Sequence, residues 1–188
     1  KYGVIMDATE VSSIEDSIIE TGSGITGSIN IWVTNGADRT AGQSQGFTNG
    51  LTITRNQISG AATGLADDGG LNHTVAANNF NGHKTSHRVA RMRAGIIQNN
   101  NYEGLTTGGI GSLIFYDSSI VLLTSTGGSS GVEITGNLFS TSTNNAGGTG
   151  ATLQFNISFG GAFHAGMTIT GNYFDSYLGR GGAIDVNA

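Results

Sequence analysis

Residues 166–176 read GMTITGNYFDS, and the same phrase occurs as GVEITGNLFS at 131–140 and, loosened, as GLTITRNQIS at 50–59. Each copy places an apolar residue three positions before an Asn or its equivalent, and a second apolar residue two positions after it. Self-similarity of this kind is typical of solenoids, in which each repeat is one supersecondary unit. The phrase therefore predicts a repeat architecture before any residue is assigned a role.

The strong copies of the phrase recur at regular intervals. From Asn to Asn, the first three copies are 22 residues apart, and the last two intervals are 37 and 35 residues. LTSTGGSS at 123–130 and STSTNNAGGTG at 140–150 predict loop insertions in the longer intervals. A weaker copy precedes the first strong copy by 21 residues. The copies are Trp32-Asn35-Ala37 (weak), Ile53-Asn56-Ile58, Val75-Asn78-Phe80, Ile97-Asn100-Tyr102, Ile134-Asn137-Phe139 and Ile169-Asn172-Phe174.

Short apolar runs of strand length accompany the repeats. They are rich in β-branched residues and bounded by Gly, Asn and Ser, which predicts strands and turns. No window of 12 or more residues keeps a helical apolar period, and only VSSIEDSIIE at 11–20 comes close to one. About 22 residues suffice for three short strands and three turns, and one such coil buries its apolar face only against neighbouring coils. The sequence thus predicts an all-β, parallel solenoid.

The recurring Asn has two properties that suit a turn inside such a solenoid. Its short polar side chain tolerates the left-handed region of backbone conformation. Its amide can also hydrogen-bond to the equivalent Asn one coil away, which would satisfy polar groups that are buried. We therefore expect an internal ladder formed by Asn56, Asn78, Asn100, Asn137 and Asn172.

Composition excludes several classes of protein. The chain of 188 residues has 32 Gly, about twice the usual share, and only 11% charged residues. It has no Cys, hence no disulfide framework or thiolate metal site, and its net charge of −5 disfavours nucleic acid as a partner. No apolar run approaches the ~20 residues that span a membrane. The first residues, KYGVIMDATE, lack an initiator Met and a signal-peptide core, so we expect a fragment of a larger protein.

The repeats resemble the right-handed parallel β-helices of pectate lyases, polygalacturonases and bacteriophage tailspikes, in which internal Asn ladders mark one turn of successive coils. The resemblance rests on the five Asn positions and spans residues 25–180. It implies a right-handed parallel β-helix, and the ~22-residue period of the repeats predicts seven or eight coils. We expect a lead-in or cap segment at 1–24 and the β-helix domain at 25–188.

The resemblance implies a carbohydrate-directed function, with three alternatives. The Gly/Ser/Thr/Asn-rich coils and the absence of Cys favour a phage tailspike or tail-fibre fragment, homotrimeric and located in the virion or otherwise extracellular. Such a protein would bind, and could depolymerise, bacterial surface polysaccharide. The second alternative is a structural, trimerisation or adhesive segment without activity, and the third is a secreted polysaccharide lyase or glycoside hydrolase. No cofactor or metal is expected, because the sequence has no HExxH, Cys/His cluster or Walker loop.

Few carboxyl groups are available for polysaccharide hydrolysis, which usually needs two of them, ~5 Å apart for retention or ~6.5–9.5 Å apart for inversion. The candidates are Asp67 and Asp68 in GLADDGG, and Glu103 and Asp175, which share one place in the repeat. A solvated turn is the competing interpretation of Asp67 and Asp68. Glu103 and Asp175 are expected to lie several coils apart, too far to pair within one subunit.

A lyase would instead need cations and a base, and HKTSHRVARMR at 83–93 has these residue types. Arg88, Arg91 and Arg93 are its arginines, and His83 and His87 its histidines. Arg91 and Arg93 alternate, so in a strand they would share one face. An exposed strand or a subunit contact is the competing interpretation.

Exposed aromatic side chains are the other candidates for sugar binding. Ile31 and Val33 occupy the opposite strand face from Trp32, which is therefore expected to point outward. Tyr173 is a second aromatic candidate, and Glu133, in an otherwise apolar strand, is expected to face solvent. His73 and His164 stand alone in the sequence and are assigned no role.

Overall fold

The computed structural model describes residues 2–7, 10–22, 25–34, 48–104, 111–116, 128–140, 155–159, 164–174 and 184–186. Within these ranges the regular elements are all strands. They are β1 (Tyr2–Asp7), β2 (Ser13–Glu15), β3 (Ile18–Glu20), β4 (Ile29–Thr34), β5 (Thr48–Asn49), β6 (Thr52–Thr54), β7 (Gln57–Ser59), β8 (Thr63–Asp68), β9 (Gly70–Leu71), β10 (Thr74–Ala76), β11 (Asn79–Asn81), β12 (Thr85–Ala90), β13 (Ile96–Gln98), β14 (Asn101–Glu103), β15 (Gly111–Tyr116), β16 (Glu133–Thr135), β17 (Leu138–Ser140), β18 (Phe155–Phe159), β19 (Thr168–Thr170), β20 (Tyr173–Phe174) and β21 (Ile184–Val186).

The strands form three long sheets in which every recorded pair of neighbours is parallel. The first sheet has the order β1-β4-β8-β12-β15-β18-β21, the second β2-β6-β10-β13-β16-β19, and the third β3-β7-β11-β14-β17-β20. A short pair, β5-β9, lies apart from them. The chain visits the three sheets in turn and returns to the first, which is the winding of a parallel β-helix. The predicted fold class is confirmed.

Each interval between repeats corresponds to one coil. Val75 pairs with Ile53 and Ile97, and Ile97 pairs directly with Ile134 across the longer interval. Likewise Phe139 pairs directly with Phe174. The longer intervals therefore add no strand to the second or third sheet. In the described ranges these two sheets have six strands each, and the first sheet has seven.

The start of the chain enters the same three sheets through β1, β2 and β3. Ile14 pairs with Ile53 and Ile19 with Ile58, so these two residues, with Ser17 between them, are the first copy of the repeat. The copy assigned to Trp32 is wrong, because Trp32 lies in the first sheet.

Residues 11–20, the one segment whose apolar spacing is close to a helical period, are not helical. This segment forms β2 and β3, separated by Asp16 with φ 51°. Ile14 and Ile19 both pack against the core from two different strands, which explains their spacing without a helix.

A left-handed residue marks the turn between the second and third sheets in every coil. It is the residue before the ladder position, rather than the Asn itself as the sequence suggested: Asp16, Arg55, Ala77, Asn99, Gly136 and Gly171, with φ between 51° and 65°. Non-glycine residues seldom adopt this conformation, yet they occupy this turn position in four coils. The surrounding hydrogen bonds therefore hold the turn in place.

The Asn side chains form a continuous internal ladder. The backbone N–H and the Nδ2 of Asn78 both donate to Oδ1 of Asn100, each at 3.0 Å, and Nδ2 also donates to the carbonyl oxygen of Ile53 at 2.8 Å. The same pattern links Asn56 to Asn78, Asn100 to Asn137, and Asn137 to Asn172. The backbone N–H of Ser17 donates to Oδ1 of Asn56, which extends the ladder into the first coil. Polar groups that would otherwise be unsatisfied in the interior are thereby paired.

Beside the ladder, the inward side chains of the third sheet stack in register. The rings of Phe80, Tyr102, Phe139 and Phe174 follow one another with centroids 5.0, 4.9 and 5.2 Å apart and planes within 9°. Ile58 and Ile19 continue this row towards the first coil. Aromatic and aliphatic stacks of this kind bury the apolar area that stabilises a solenoid without helices.

Candidate functional site

Strand β8 ends in two carboxylates that point to opposite faces of the first sheet. Asp67 hydrogen-bonds inside the β-helix and Asp68 hydrogen-bonds outside it, as expected for successive strand residues. Both side chains are 0% exposed. A solvated turn, the competing interpretation of this pair, is therefore wrong.

Asp68 joins two large side chains on the outer face. Trp32 on β4, Ala66 on β8 and Arg88 on β12 are directly in register. Nε1 of Trp32 donates to Oδ2 of Asp68 at 2.9 Å, and Nη2 of Arg88 donates to the same oxygen at 2.7 Å. Charge-assisted hydrogen bonds of this length are strong and directional. Asp68 therefore holds the indole and the guanidinium in fixed positions above the sheet.

An exposed tyrosine completes this arrangement. The ring of Tyr2, on β1, stacks on the ring of Trp32 with centroids 4.8 Å apart and an interplanar angle of 29°. Tyr2 is 49% exposed and the side chain of Arg88 is 27% exposed, whereas Asp68 is enclosed. We call Tyr2, Trp32, Asp68 and Arg88 the outer cluster. The expectation that Trp32 points outward is confirmed, and the cluster presents aromatic surface beside a positive charge.

Asp67 belongs to a separate, interior set of residues. Its Oδ2 lies 2.8 Å from Nδ1 of His73, and Nε2 of His73 donates to the carbonyl oxygen of Thr48 at 2.8 Å. Burial alone would lower the pKa of His73, but the charge and hydrogen bond of Asp67 outweigh it, and the pKa is raised. The two residues form a buried ion pair that a polysaccharide outside the solenoid cannot touch.

Two further histidines lie in the interior nearby. Nδ1 of His87 is 3.2 Å from the hydroxyl of Tyr102, and burial lowers the pKa of His87 to about 4. Burial also lowers the pKa of His83, whose two ring nitrogens face the carbonyl oxygens of Ala61 and Ile58. Asp67, His73, His83 and His87 are called the inner cluster below.

The remaining carboxylate candidates lie elsewhere. Glu103, on β14 in the third sheet, is half-buried and accepts a hydrogen bond from Nδ2 of Asn101 at 2.6 Å. Asp175 falls outside the described residues, but β14 and β20 are separated by β17 alone. The repeats that contain Glu103 and Asp175 are thus two coils apart in the third sheet.

Arg91 and Arg93 do not share a strand face as expected. Strand β12 ends at Ala90, and Arg91 has φ 60°, which turns the chain. Arg91 is 9% exposed, and burial, together with the charge of Arg93, lowers its pKa. Arg93 follows the strand, and its side chain is exposed. Its backbone forms isolated parallel β-bridges with Leu71 and Ser130.

Two of the simpler surface expectations are met, and two residues were missed. Glu133 faces solvent, and Tyr173 is 63% exposed on β20. Tyr2 was missed because its contact with Trp32 depends on the register of β1 and β4. His73 was missed because the sequence does not show that its ring lies inside the β-helix, against Asp67. Trp32 and Tyr173 lie in different sheets and do not form one surface.

Two negative findings concern the described ranges only. None of their elements is a helix long and apolar enough to cross a membrane. None of their His, Asp and Glu side chains gather in threes in a way that could hold a metal ion.

Comparison with known proteins finds structural similarity but no match in sequence. No protein-family model and no curated protein sequence matches the chain. A solved structure similar to it is the A-module of the mannuronan C-5 epimerase AlgE6 from Azotobacter vinelandii, with 13% sequence identity and a TM-score of 0.44. The match covers 100% of this chain and 55% of that one, so the chain spans about half the length of the epimerase module. At this level of similarity the match assigns no activity to the chain.

Proposed function

We propose that this chain is part of a bacteriophage tailspike or tail fibre, homotrimeric and extracellular, whose β-helix binds bacterial surface polysaccharide. The outer cluster is the observation that carries this proposal. It places two stacked aromatic rings beside a guanidinium on the exterior of the first sheet.

The chemistry of the outer cluster suits a sugar chain. Aromatic rings with a polar edge, such as those of Tyr and Trp, contact apolar and hydrogen-bonding groups at the same time, and a sugar offers both. The guanidinium is a planar array of donors for hydroxyl or carboxylate oxygens. Asp68 already fixes the side chains of Trp32 and Arg88. Binding a ligand therefore costs less side-chain conformational entropy of the protein.

Binding is favoured over cleavage by the positions of the carboxylates. Asp67 is inside the solenoid, Asp68 is enclosed by Trp32 and Arg88, and Glu103 belongs to the third sheet. Among the described residues, these candidates do not form the pair of reachable carboxyl groups that hydrolysis of a glycosidic bond requires. A depolymerase site would need a carboxylate from outside the described ranges or from another subunit.

Trp32→Ala is expected to weaken binding to a retained polysaccharide by about tenfold or more, because central aromatic anchors carry much of the binding energy. Trp32→Phe, which keeps a ring but loses the bond to Asp68, is expected to be intermediate. Affinity electrophoresis and calorimetry on a panel of purified capsular polysaccharides and lipopolysaccharides measure the effect. Ile18→Ala, which truncates a side chain 75% exposed on the third sheet, is the control and should bind normally.

Three outcomes would contradict the proposal, and a fourth would identify an enzyme. Full affinity of a folded Trp32→Ala protein would remove the outer cluster from the site. Failure of the unaltered protein to retain any polysaccharide would favour the structural segment. A clean monomer in analytical ultracentrifugation would contradict the trimeric tailspike, and new reducing ends or unsaturated uronates would show a hydrolase or a lyase.

A further inference from the structure

The inner cluster is unusual for its position in the fold. His87 lies in register with Leu65 and Leu113, and Asp67 lies in register with Val33 and Val89. Neighbouring coils thus fill the same interior positions with aliphatic side chains. Polysaccharide binding at the outer cluster uses none of the inner groups, so their ionisation needs a separate explanation.

The pair of Asp67 and His73 fits one protonation state. Nε2 of His73 must carry a proton, because the carbonyl oxygen of Thr48 only accepts. Nδ1 of His73 and Oδ2 of Asp67, 2.8 Å apart, then share one proton in a hydrogen bond. Losing that proton leaves a buried negative charge facing a lone pair, and gaining another leaves a buried cation. Both changes are costly in the interior.

His87 fits only the neutral state. Its Nδ1 contacts the hydroxyl of Tyr102, its ring lies parallel to Phe80 with centroids 6.0 Å apart, and it is 0% exposed. Nε2 has no hydrogen-bond partner among the residues that the structure describes. The charged groups that act on His87 are Asp67 on β8 and His73 before β10. A second ring proton would therefore put a net charge on a fully buried ring, and burial disfavours this more than the charge of Asp67 favours it.

We propose that His87 makes the inner cluster a pH-sensitive element, which holds the coils from β5 to β12 together at neutral pH and loosens them in mild acid. This pH response is a property of the fold and is independent of the proposed polysaccharide binding. Protonation of His87 is the trigger. His83 is not part of it, because the two backbone carbonyl oxygens that face its ring nitrogens favour the protonated ring.

The direction of the effect follows from linkage. The folded-state pKa of His87 is about 4, below its ordinary 6.5, so its contribution to stability is lost as pH falls from 6.5 towards 4. This difference corresponds to roughly a 300-fold change in the folding equilibrium constant. His73 has a raised pKa, so its contribution is present below pH 6.5 and is lost as pH rises through its folded value. The acid response therefore belongs to His87.

Urea unfolding between pH 4 and 6.5 tests the proposal. The unaltered protein should lose stability steadily across this range, and His87→Leu, which copies the residue of both neighbouring strands, should lose markedly less. The hydrogen bond from Arg55 lowers the pKa of Asp16 from 3.8, so this surface carboxyl loses its contribution only below the range. Parallel stability curves for the two proteins would overturn the proposal.

Hydrogen exchange of the unaltered protein gives a second test that needs no variant. After correction for intrinsic rates, amides of β8, β10 and β12 should lose protection at pH 4.5 while amides of β16 and β17 keep it. Equal protection in both groups at pH 4.5 and pH 7 would overturn the proposal even if His87→Leu failed to fold.

Discussion

Replacing His73 with Leu is expected to destabilise the protein by about 3–5 kcal/mol, and adding Asp67→Val should recover most of that loss. The single substitution leaves the carboxyl group of Asp67 in the interior, 0% exposed, without the cation that now pairs with it. Removing one partner of a buried ion pair is costly, whereas replacing both with apolar groups of similar size is often nearly neutral.

The replacement residues are those that neighbouring coils already use. Asp67 is in strand register with Val33 and Val89. Leu51, directly before β6, occupies the position equivalent to His73, directly before β10. A double-mutant cycle of His73→Leu, Asp67→Val and the combined variant, followed by urea unfolding at pH 7, measures the coupling. Simple addition of the two single losses would show that the pair does not act as a unit.

Replacing Asn100 with Ala is expected to cost about 4 kcal/mol, because this side chain serves three coils. Its Oδ1 accepts from the backbone N–H and the Nδ2 of Asn78, and its Nδ2 donates to Asn137 and to the carbonyl oxygen of Val75. The substitution leaves several of these buried groups unsatisfied, at about 1–3 kcal/mol each.

Two matched variants define what this result means. Asn172→Ala removes the half-buried last member of the ladder and should cost less, because fewer partners depend on it. Asn81→Ala removes an exposed Asn on β11 and should change stability by less than about 0.5 kcal/mol. Thermal and urea unfolding of the three variants compare them directly, and equal losses at Asn100 and Asn81 would contradict a structural ladder.

The second and third sheets were predictable from sequence because their residues repeat. An inward apolar residue, a ladder Asn and a second inward residue recur at fixed spacing, so one alignment placed five coils. The first sheet has no repeated phrase. Trp32 was therefore assigned to the wrong sheet, and Ile14 with Ile19, whose ladder residue is Ser17, was missed.

The candidate site was predictable only in part. Alternation along one strand correctly placed Trp32 outside, since that inference needs no partner. The contacts of Asp68 with Trp32 and Arg88 join residues 36 and 20 positions away, and they depend on strand register. Arg91 and Arg93 were misplaced because a left-handed residue interrupts the alternation, and composition does not show where such a residue falls.

The ladder turn also divides each coil into a part of constant length and a part of variable length. The chain crosses the second sheet, the turn and the third sheet in segments of equal length at 74–81, 96–103 and 133–140. All the differences between repeats of 22, 35 and 37 residues fall in the remainder of the coil. For protein engineering, this makes the interval after Ser140 the place to graft a foreign peptide, because added residues there leave the spacing of the Asn and aromatic stacks unchanged.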